Sequence, residues 1–191
     1  MTAKPSVVWR RSPNFGYNLL FLPVAGSTGR GGRPVTAIVN HLSQSYESGL
    51  NAKFLTPRGV SAHFAVLRDG RIIQYVDEAD AAYHVPAVNP VERYPWLPAD
   101  SLGRYGVTVV NQMTIGIEHE GFSGRPPTDQ QLAASIALHR YLAHQYHLPA
   151  DASHIVGHGQ LDRMQRTACP GSHFPLDRII AALQEEVLEV A

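Results

Sequence analysis

Val35-Thr-Ala-Ile-Val-Asn-His41 is a short run of β-branched and apolar residues that ends on a histidine. Such a run predicts a buried β-strand. The segment before it, residues 26–34, is rich in glycine and predicts a flexible loop. A rigid sheet holds the side chain at a strand end, and the following loop exposes it. His41 therefore lies at a position suited to chemistry.

Strand and helix patterns alternate along the rest of the chain. Short apolar runs predict four further strands, at residues 62–67, 72–76, 113–118 and 153–157. The first two flank Arg68-Asp69-Gly70, whose Asp-Gly pair predicts a tight hairpin. A capping box that starts at Thr128 opens a predicted helix ending near His147, and an apolar stripe predicts a last helix over 176–190. This order predicts an α/β fold, a single domain with a central mixed β-sheet flanked by helices.

Residues 86–106 are rich in proline, tyrosine and tryptophan, which predicts an ordered surface loop rather than a helix. Two interpretations of this loop remain open. Its aromatic rings are suited to forming one wall of a substrate groove, because such rings pack well on sugars. They are equally suited to fastening the loop onto the core.

Composition excludes several classes of function. The 191 residues suffice for one domain with a hydrophobic core. The 16 basic residues balance 16 acidic ones, so no charge excess indicates nucleic acid as a partner. The chain lacks an apolar run of about 18 residues and the pattern of a signal peptide, so we expect neither membrane insertion nor a secretory leader. One cysteine, Cys169, excludes an intrachain disulfide.

Three residues form a candidate metal site. His41 and His158 end predicted strands, and Cys169 follows in a short loop. Zinc accepts imidazole nitrogen and thiolate sulfur, and a catalytic zinc usually keeps three protein ligands and one position for water. The alternative is that each histidine is structural and the cysteine a small buried hydrophobe.

Five blocks, in order, resemble the type-2 N-acetylmuramoyl-L-alanine amidases. They are Ala37–His41, Val60–Gln74, Ala82–Val85, Thr114–Gly121, and Val156–His158 with Thr167–Gly171. The resemblance implies one zinc per chain, bound by His41, His158 and Cys169. Some members carry Asp at the third position; Cys is the variant of phage amidases and of catalytic peptidoglycan recognition proteins. The gap between His158 and Cys169 is longer than in several relatives, which leaves the shape of this loop open.

The catalytic carboxylate is predicted to be Glu118. Strand alternation puts it on the face opposite Ile117, and the resemblance implies a general base there. A solvent-facing Glu118 is the alternative, and Glu120 is the rival carboxylate. Other branches use a hairpin tyrosine, but Ala62 stands at that position.

The resemblance implies two further site residues. Thr167 is expected to stabilise the carbonyl oxygen, the alternative being a loop residue bonded to its own backbone. His84 is expected to line the substrate groove, the alternative being a structural hydrogen-bonding histidine.

Most of the remaining histidines are expected outside the metal site. We expect His63 to order the hairpin and His119 to be structural. His139, His144 and His147 are predicted to face solvent on the long helix. His173 is the one candidate for a substitute or fourth ligand.

The resemblance implies a zinc hydrolase that cuts the amide between the muramoyl lactyl group and L-alanine in peptidoglycan or muropeptides. We expect an N-terminal extension (1–34) packed on a zinc amidase domain (35–191), no separate wall-binding domain, and a monomer. A phage or prophage endolysin is favoured, held in the cytoplasm of the producing cell until release. The alternatives are a cytoplasmic muropeptide-recycling amidase, a non-catalytic peptidoglycan receptor, and a structural zinc site closed by a fourth ligand.

Overall fold

The computed structural model describes residues 2–16, 28–86, 88–90, 94–98 and 106–189. Within these ranges the strands are β1 (Val8–Trp9), β2 (Ala37–Leu42), β3 (Phe64–Val66), β4 (Ile72–Gln74), β5 (Thr114–His119) and β6 (Ile155–Gly157). The helices are α1 (Glu47–Leu55), α2 (Gly106–Met113), α3 (Asp129–Tyr146), α4 (His158–Leu161) and α5 (Leu176–Glu189). None of the described helices is both long and apolar enough to cross a bilayer.

The strands form one sheet in the order β1-β4-β3-β5-β2-β6. β3 and β4 pair antiparallel, as the Asp-Gly turn predicts, and the other neighbours pair parallel. The predicted α/β fold with a mixed sheet is therefore confirmed. The three parallel strands β5, β2 and β6 lie side by side, so their carboxyl ends meet at one edge of the sheet.

Alternating side chains cover the two faces of the sheet. Ile38 and Ile117 pack with Leu138 and Leu142 of α3 on one face. On the opposite face, Val39 and Val156 form a cluster with Val88, Trp96 and Val110. Strand alternation thus places Glu118, one residue after Ile117, on the face away from α3.

The described part of the segment 86–106 is fastened to the core. Tyr94, Trp96 and Leu97 are buried beside Val85 and Val110. The indole nitrogen of Trp96 donates to the Ser153 carbonyl at 2.6 Å. These contacts agree with the interpretation in which the aromatic rings fasten the loop onto the core. Residues 87, 91–93 and 99–105, including the rest of the predicted loop, lie outside the described residues.

The N-terminal residues pack on the domain through polar contacts. The Ser12 hydroxyl donates to the Phe54 carbonyl at 2.5 Å, and the Lys4 ammonium lies 2.6 Å from a Glu78 carboxylate oxygen. The glycine-rich loop is anchored by Arg30, whose buried guanidinium donates to the carbonyls of Gln112 and Thr114. Residues 26–27 of that predicted loop lie outside the described residues, and the division at residue 34 stays a prediction.

The long helix begins as predicted and buries one histidine that was predicted to be exposed. The Thr128 hydroxyl accepts from the Gln131 amide, which confirms the N-cap; the Gln131 side chain instead donates to the carbonyls of Val66 and Glu120. The prediction that His139 faces solvent is wrong. Its ring is fully buried, and its Nδ1 donates to the Ser135 carbonyl at 2.7 Å. His144 and His147 are exposed, as expected.

Buried His139 makes folding stability depend on pH. Burial lowers the pKa of His139 from 6.5 to about 4. Between these values the unfolded chain binds a proton that the folded chain does not, so stability falls as the pH drops through this window. The loss is about 1.4 kcal/mol per pH unit, roughly 3 kcal/mol in all. As the pH drops through this window, we expect the unfolding free energy of the wild type to fall by that amount relative to that of His139→Asn. Urea denaturation at several pH values measures both free energies.

The matched control for this effect is His144→Asn, which changes an exposed histidine of the same helix. The pH dependence of His139→Asn should therefore differ from that of His144→Asn. A constant difference between His139→Asn and wild type from about pH 7 to about pH 4 would contradict the assignment.

Candidate metal centre

The parallel register brings the predicted site residues to one level of the sheet. His41 of β2 is the partner of Glu118 on β5. Asn40 is the partner of Gly157 on β6, so His158 follows at the level of His41. Neighbouring residues in register point to the same face. The two imidazoles and the carboxylate therefore share the edge at which the parallel strands end.

Three ligand atoms converge at this edge. The Nδ1 atoms of His41 and His158 lie 3.0 Å apart. With the Cys169 sulfur they form a group whose ligand atoms all lie within 4.8 Å of one another. In the described part of the chain, no other group of three or more His, Cys, Asp and Glu residues meets this test. The predicted set is thus brought together by the fold.

The protonation states of these residues fit a bound cation. Burial, together with the neighbouring His158 and His84, holds the pKa of His41 well below its usual range. Burial lowers the pKa of His158 to about 4. Both rings are therefore neutral and offer lone pairs. Burial raises the pKa of Cys169 to about 12, so its thiol ionises at neutral pH only beside a cation. The Leu42 amide donates to this sulfur at 3.4 Å.

The long connection between His158 and Cys169 is a compact series of turns. It begins with α4, and the Asp162 carboxylate then accepts from the amides of Met164 and Gln165. The Gly159 amide donates to the Cys169 carbonyl at 2.7 Å, which ties the end of the loop to its start. A Cβ at Gly159 would lie 2.7 Å from the Arg166 carbonyl oxygen, so glycine permits this close approach.

Glu118 lies beside the ligand group, and the pKa of its carboxyl is unusually high. The residue is half-buried and lines the groove, and its Oε2 is buried without a hydrogen-bond partner in the described structure. Burial raises the pKa of Glu118 to about 7, against the opposing charges of Lys53 and Arg166. A carboxyl with this pKa is able both to accept and to return a proton near neutrality.

The rival carboxylate is committed to the backbone. One oxygen of Glu120 accepts from the Glu47 amide and the other from the Arg68 amide, both at 2.8 Å. This pairing anchors the start of α1 to the hairpin. Ala62, which the resemblance aligns with the tyrosine of other branches, is fully buried.

An open groove of about 570 Å³ runs over the ligand group. Its lining includes Phe54, Val60, Tyr83, Pro86, Lys53 and Arg166. Thr167 is exposed on the rim formed by the Cys169 loop, and its contact with a carbonyl oxygen stays a prediction. The lining thus combines apolar side chains with the basic groups of Lys53 and Arg166.

His84 lies closer to the metal ligands than a groove-lining role requires. Its ring is nearly buried, with Nδ1 3.1 Å from His41 Nε2 and Nε2 3.1 Å from the Thr114 hydroxyl. It also borders the groove, and its contact with substrate stays a prediction. Sequence reasoning missed Thr114, because a threonine at the start of an apolar strand carries no pattern of its own.

The remaining histidines lie outside the ligand group. His63 Nδ1 accepts from the Gly116 amide, which orders the hairpin against β5 as expected. His119 donates to the His41 carbonyl and contacts the Ser135 hydroxyl, which confirms a structural role. His173 is exposed beside Ser172 and is not part of the three-residue group. Among the described residues, His41, His158 and Cys169 are thus the three candidate ligands.

Gly116 makes room for His84, and we expect Gly116→Ala to disrupt the site. An added Cβ would lie 2.5 Å from Cγ of the His84 ring, which contacts with His41 and Thr114 hold in place. Overpacking of this kind typically costs about 1–3 kcal/mol. Thermal denaturation should show the loss of stability, and metal analysis should show weaker metal retention.

A second variant isolates the clash. In a His84→Ala background the ring is absent, so the stability penalty of Gly116→Ala should largely disappear. An equal penalty in both backgrounds would show that the cost arises elsewhere, for instance from the β5 backbone.

Comparison with known proteins identifies relatives of the chain. A family profile described as N-acetylmuramoyl-L-alanine amidase matches residues 31–172. The chain is 32% identical over 124 residues to the 1,6-anhydro-N-acetylmuramyl-L-alanine amidase AmpD of Enterobacter cloacae, and 30% identical over 125 residues to that of Haemophilus influenzae. These matches cover 65% of this chain and 57% and 59% of the two relatives. The chain thus spans less than three fifths of the length of these relatives.

Solved structures of low identity share the fold. An endolysin amidase, LysCS of Clostridium intestinale, superposes with a TM-score of 0.64 at 23% identity, over 96% of this chain and 99% of that one. AmiD of E. coli, solved with anhydro-N-acetylmuramic acid-L-Ala-D-gamma-Glu-L-Lys, gives a TM-score of 0.60 at 22% identity. That superposition covers 83% of this chain and 60% of AmiD. Because the family profile covers most of the chain, and the sequence blocks occur in the family order, this protein belongs to the N-acetylmuramoyl-L-alanine amidase family.

Proposed function

We propose that the chain is a zinc-dependent amidase that hydrolyses the bond between the lactyl group of N-acetylmuramic acid and L-alanine. One observation carries the proposal: the nitrogens of His41 and His158 and the sulfur of Cys169 converge beside Glu118 at the floor of an open groove. Two imidazoles and one thiolate are a ligand set that catalytic zinc accepts. Family membership supports the same bond.

The chain's own residues supply the proton transfers. Zinc, when bound, supplies Lewis acidity, which activates water and polarises a carbonyl. Glu118 accepts the proton of the attacking water and returns it to the nitrogen of the departing L-alanine. Its raised pKa, near 7, suits both transfers. Thr167 donates a hydrogen bond to the carbonyl oxygen from the rim of the groove. The charges of Lys53 and Arg166 favour the ionised form of Glu118 that begins the cycle.

The open shape of the groove bears on the form of the substrate. A groove of about 570 Å³ that opens to solvent suits a glycan with its attached peptide. This shape and the Cys169 ligand support a phage or prophage endolysin, monomeric and held in the cytoplasm of the producing cell until release. The curated relatives, named as 1,6-anhydro amidases, favour the second candidate, a recycling amidase for soluble fragments.

The test uses the zinc-loaded protein on two substrates, purified peptidoglycan and a soluble anhydro-muropeptide. Mass spectrometry of the products should find peptides with a free L-alanine amino terminus and glycans that retain the lactyl group. Faster release from intact walls supports the endolysin, and faster cleavage of the soluble fragment supports the recycling enzyme. Stoichiometric zinc with no cleavage of either substrate would instead indicate a peptidoglycan receptor, and cleavage at another bond would refute the proposal.

A further inference from the structure

A chain of hydrogen bonds runs from α2 to the metal ligand His41. It begins at Thr114, whose hydroxyl oxygen lies 2.8 Å from the Val110 carbonyl oxygen. A carbonyl oxygen only accepts, so the Thr114 hydroxyl must donate its one hydrogen there. The same oxygen lies 3.1 Å from His84 Nε2 and has no hydrogen left to give it. His84 Nε2 therefore carries the hydrogen of that contact.

The direction of this first bond determines the next ones. A neutral imidazole carries hydrogen on one nitrogen only, so His84 Nδ1 is an acceptor. It faces His41 Nε2 at 3.1 Å, which must then be the donor. The remaining nitrogen of His41, Nδ1, is left with a lone pair. That lone pair points to the place where His158 Nδ1 approaches within 3.0 Å.

The surroundings hold His84 in place for this role. The Asn111 side chain accepts from the backbone amides of His84 and Val85, at 3.3 and 3.0 Å, and donates to the Val85 carbonyl. Gly116 lies directly beneath the ring, where a Cβ would collide with it. Asn111 thus holds the backbone of His84, and Gly116 leaves room for its ring.

We propose that His84 and Thr114 are positioning residues that fix which nitrogen of His41 is available to the metal. The inference rests on the proposed zinc site. It assigns His84 a function different from binding substrate through its ring nitrogens, because its single donor and its single acceptor are both already engaged. His158 differs from His41, since its buried Nε2 has no partner among the described residues. Of the two imidazoles, His41 is the one whose orientation is set in advance.

The inference is tested on the metal-free protein with ¹⁵N-labelled histidine. Long-range proton–nitrogen correlation spectra report which ring nitrogen carries hydrogen. We expect His41 to carry it on Nε2 and to leave Nδ1 free, without zinc or substrate present. A wild-type spectrum with hydrogen on His41 Nδ1 would overturn the proposal regardless of how any variant folds. It would leave the proposed amidase function standing, whereas a failure to bind zinc would refute that function.

Thr114→Val removes the hydroxyl at nearly constant shape. His84 Nε2 then loses its acceptor, so both rings should populate mixed hydrogen positions. Zinc affinity, measured by competition with a chelator, should weaken about 10–100-fold, the usual cost of removing a partner of a metal ligand. Thr114→Ser should restore both readouts, because it restores the hydroxyl.

The matched control is Thr36→Val. The Thr36 hydroxyl also donates to a backbone carbonyl, that of Met113, but lies outside the chain of bonds to His41. Its zinc affinity and histidine spectrum should match the wild type. Equal weakening in Thr36→Val and Thr114→Val, or no change in the latter, would contradict a positioning role.

Discussion

Replacement of Cys169 by alanine is expected to abolish both zinc binding and hydrolysis. The change leaves two imidazoles at a site built for three ligands, and the Leu42 amide loses its acceptor. The Lewis acidity of a bound metal is worth several kcal/mol in the transition state, so turnover should fall by roughly 10³-fold or more. Zinc analysis after dialysis and release of peptide from purified walls measure the two effects separately.

Two variants control for this result. Cys169→Asp replaces the thiolate with a carboxylate, which is also a zinc ligand, and should retain zinc and part of the activity. Met164→Ala changes an exposed side chain of the same loop and should leave both unchanged. Full zinc occupancy and full turnover in Cys169→Ala would remove the sulfur from the site.

Glu118→Gln should retain zinc and lose turnover by about 10²–10⁴-fold, the usual contribution of general acid–base catalysis. The amide has nearly the shape of the carboxyl but cannot accept and return the proton. The loss should appear in kcat with little change in the unfolding transition, because the buried Oε2 has no partner in the described structure to lose. Steady-state kinetics on a soluble muropeptide measure it.

Glu120→Gln is the contrasting variant on the same strand. Both Glu120 oxygens accept from backbone amides, so this change should lower stability while zinc-loaded folded protein keeps most of its turnover. If Glu118→Gln turned over at the wild-type rate, or Glu120→Gln lost as much kcat, the proton transfers would belong to another group.

The sheet was predictable because it depends on local patterns, whereas the ligand set rested on the resemblance of the five sequence blocks to the amidase family. β2, β5 and β6 are short apolar runs, as expected for parallel strands buried on both faces, although β6 lies at the edge of the sheet. The parallel register places His41 beside Glu118, whereas strand parity alone predicts only the face on which Glu118 lies. What parity does not show is which side chains fill the space behind a ligand, so Thr114 was missed.

Two helices were not predictable from periodicity. α1 has a glycine and a serine in its first turn and buries only Leu50 and Phe54, so its apolar stripe is short. α2 is rich in valine, which favours strands when the sequence is considered alone. His139 was misassigned for a similar reason: a polar residue was taken to face solvent, but the Ser135 carbonyl satisfies its ring inside the protein.

X-ray absorption at the zinc edge of the zinc-loaded protein identifies the atoms that bind the metal. We expect one sulfur and two imidazole nitrogens around the metal, with one further oxygen from water, and loss of the sulfur signal in Cys169→Asp, the variant that should retain zinc. A shell without sulfur, or one closed by a third imidazole in place of water, would contradict this expectation.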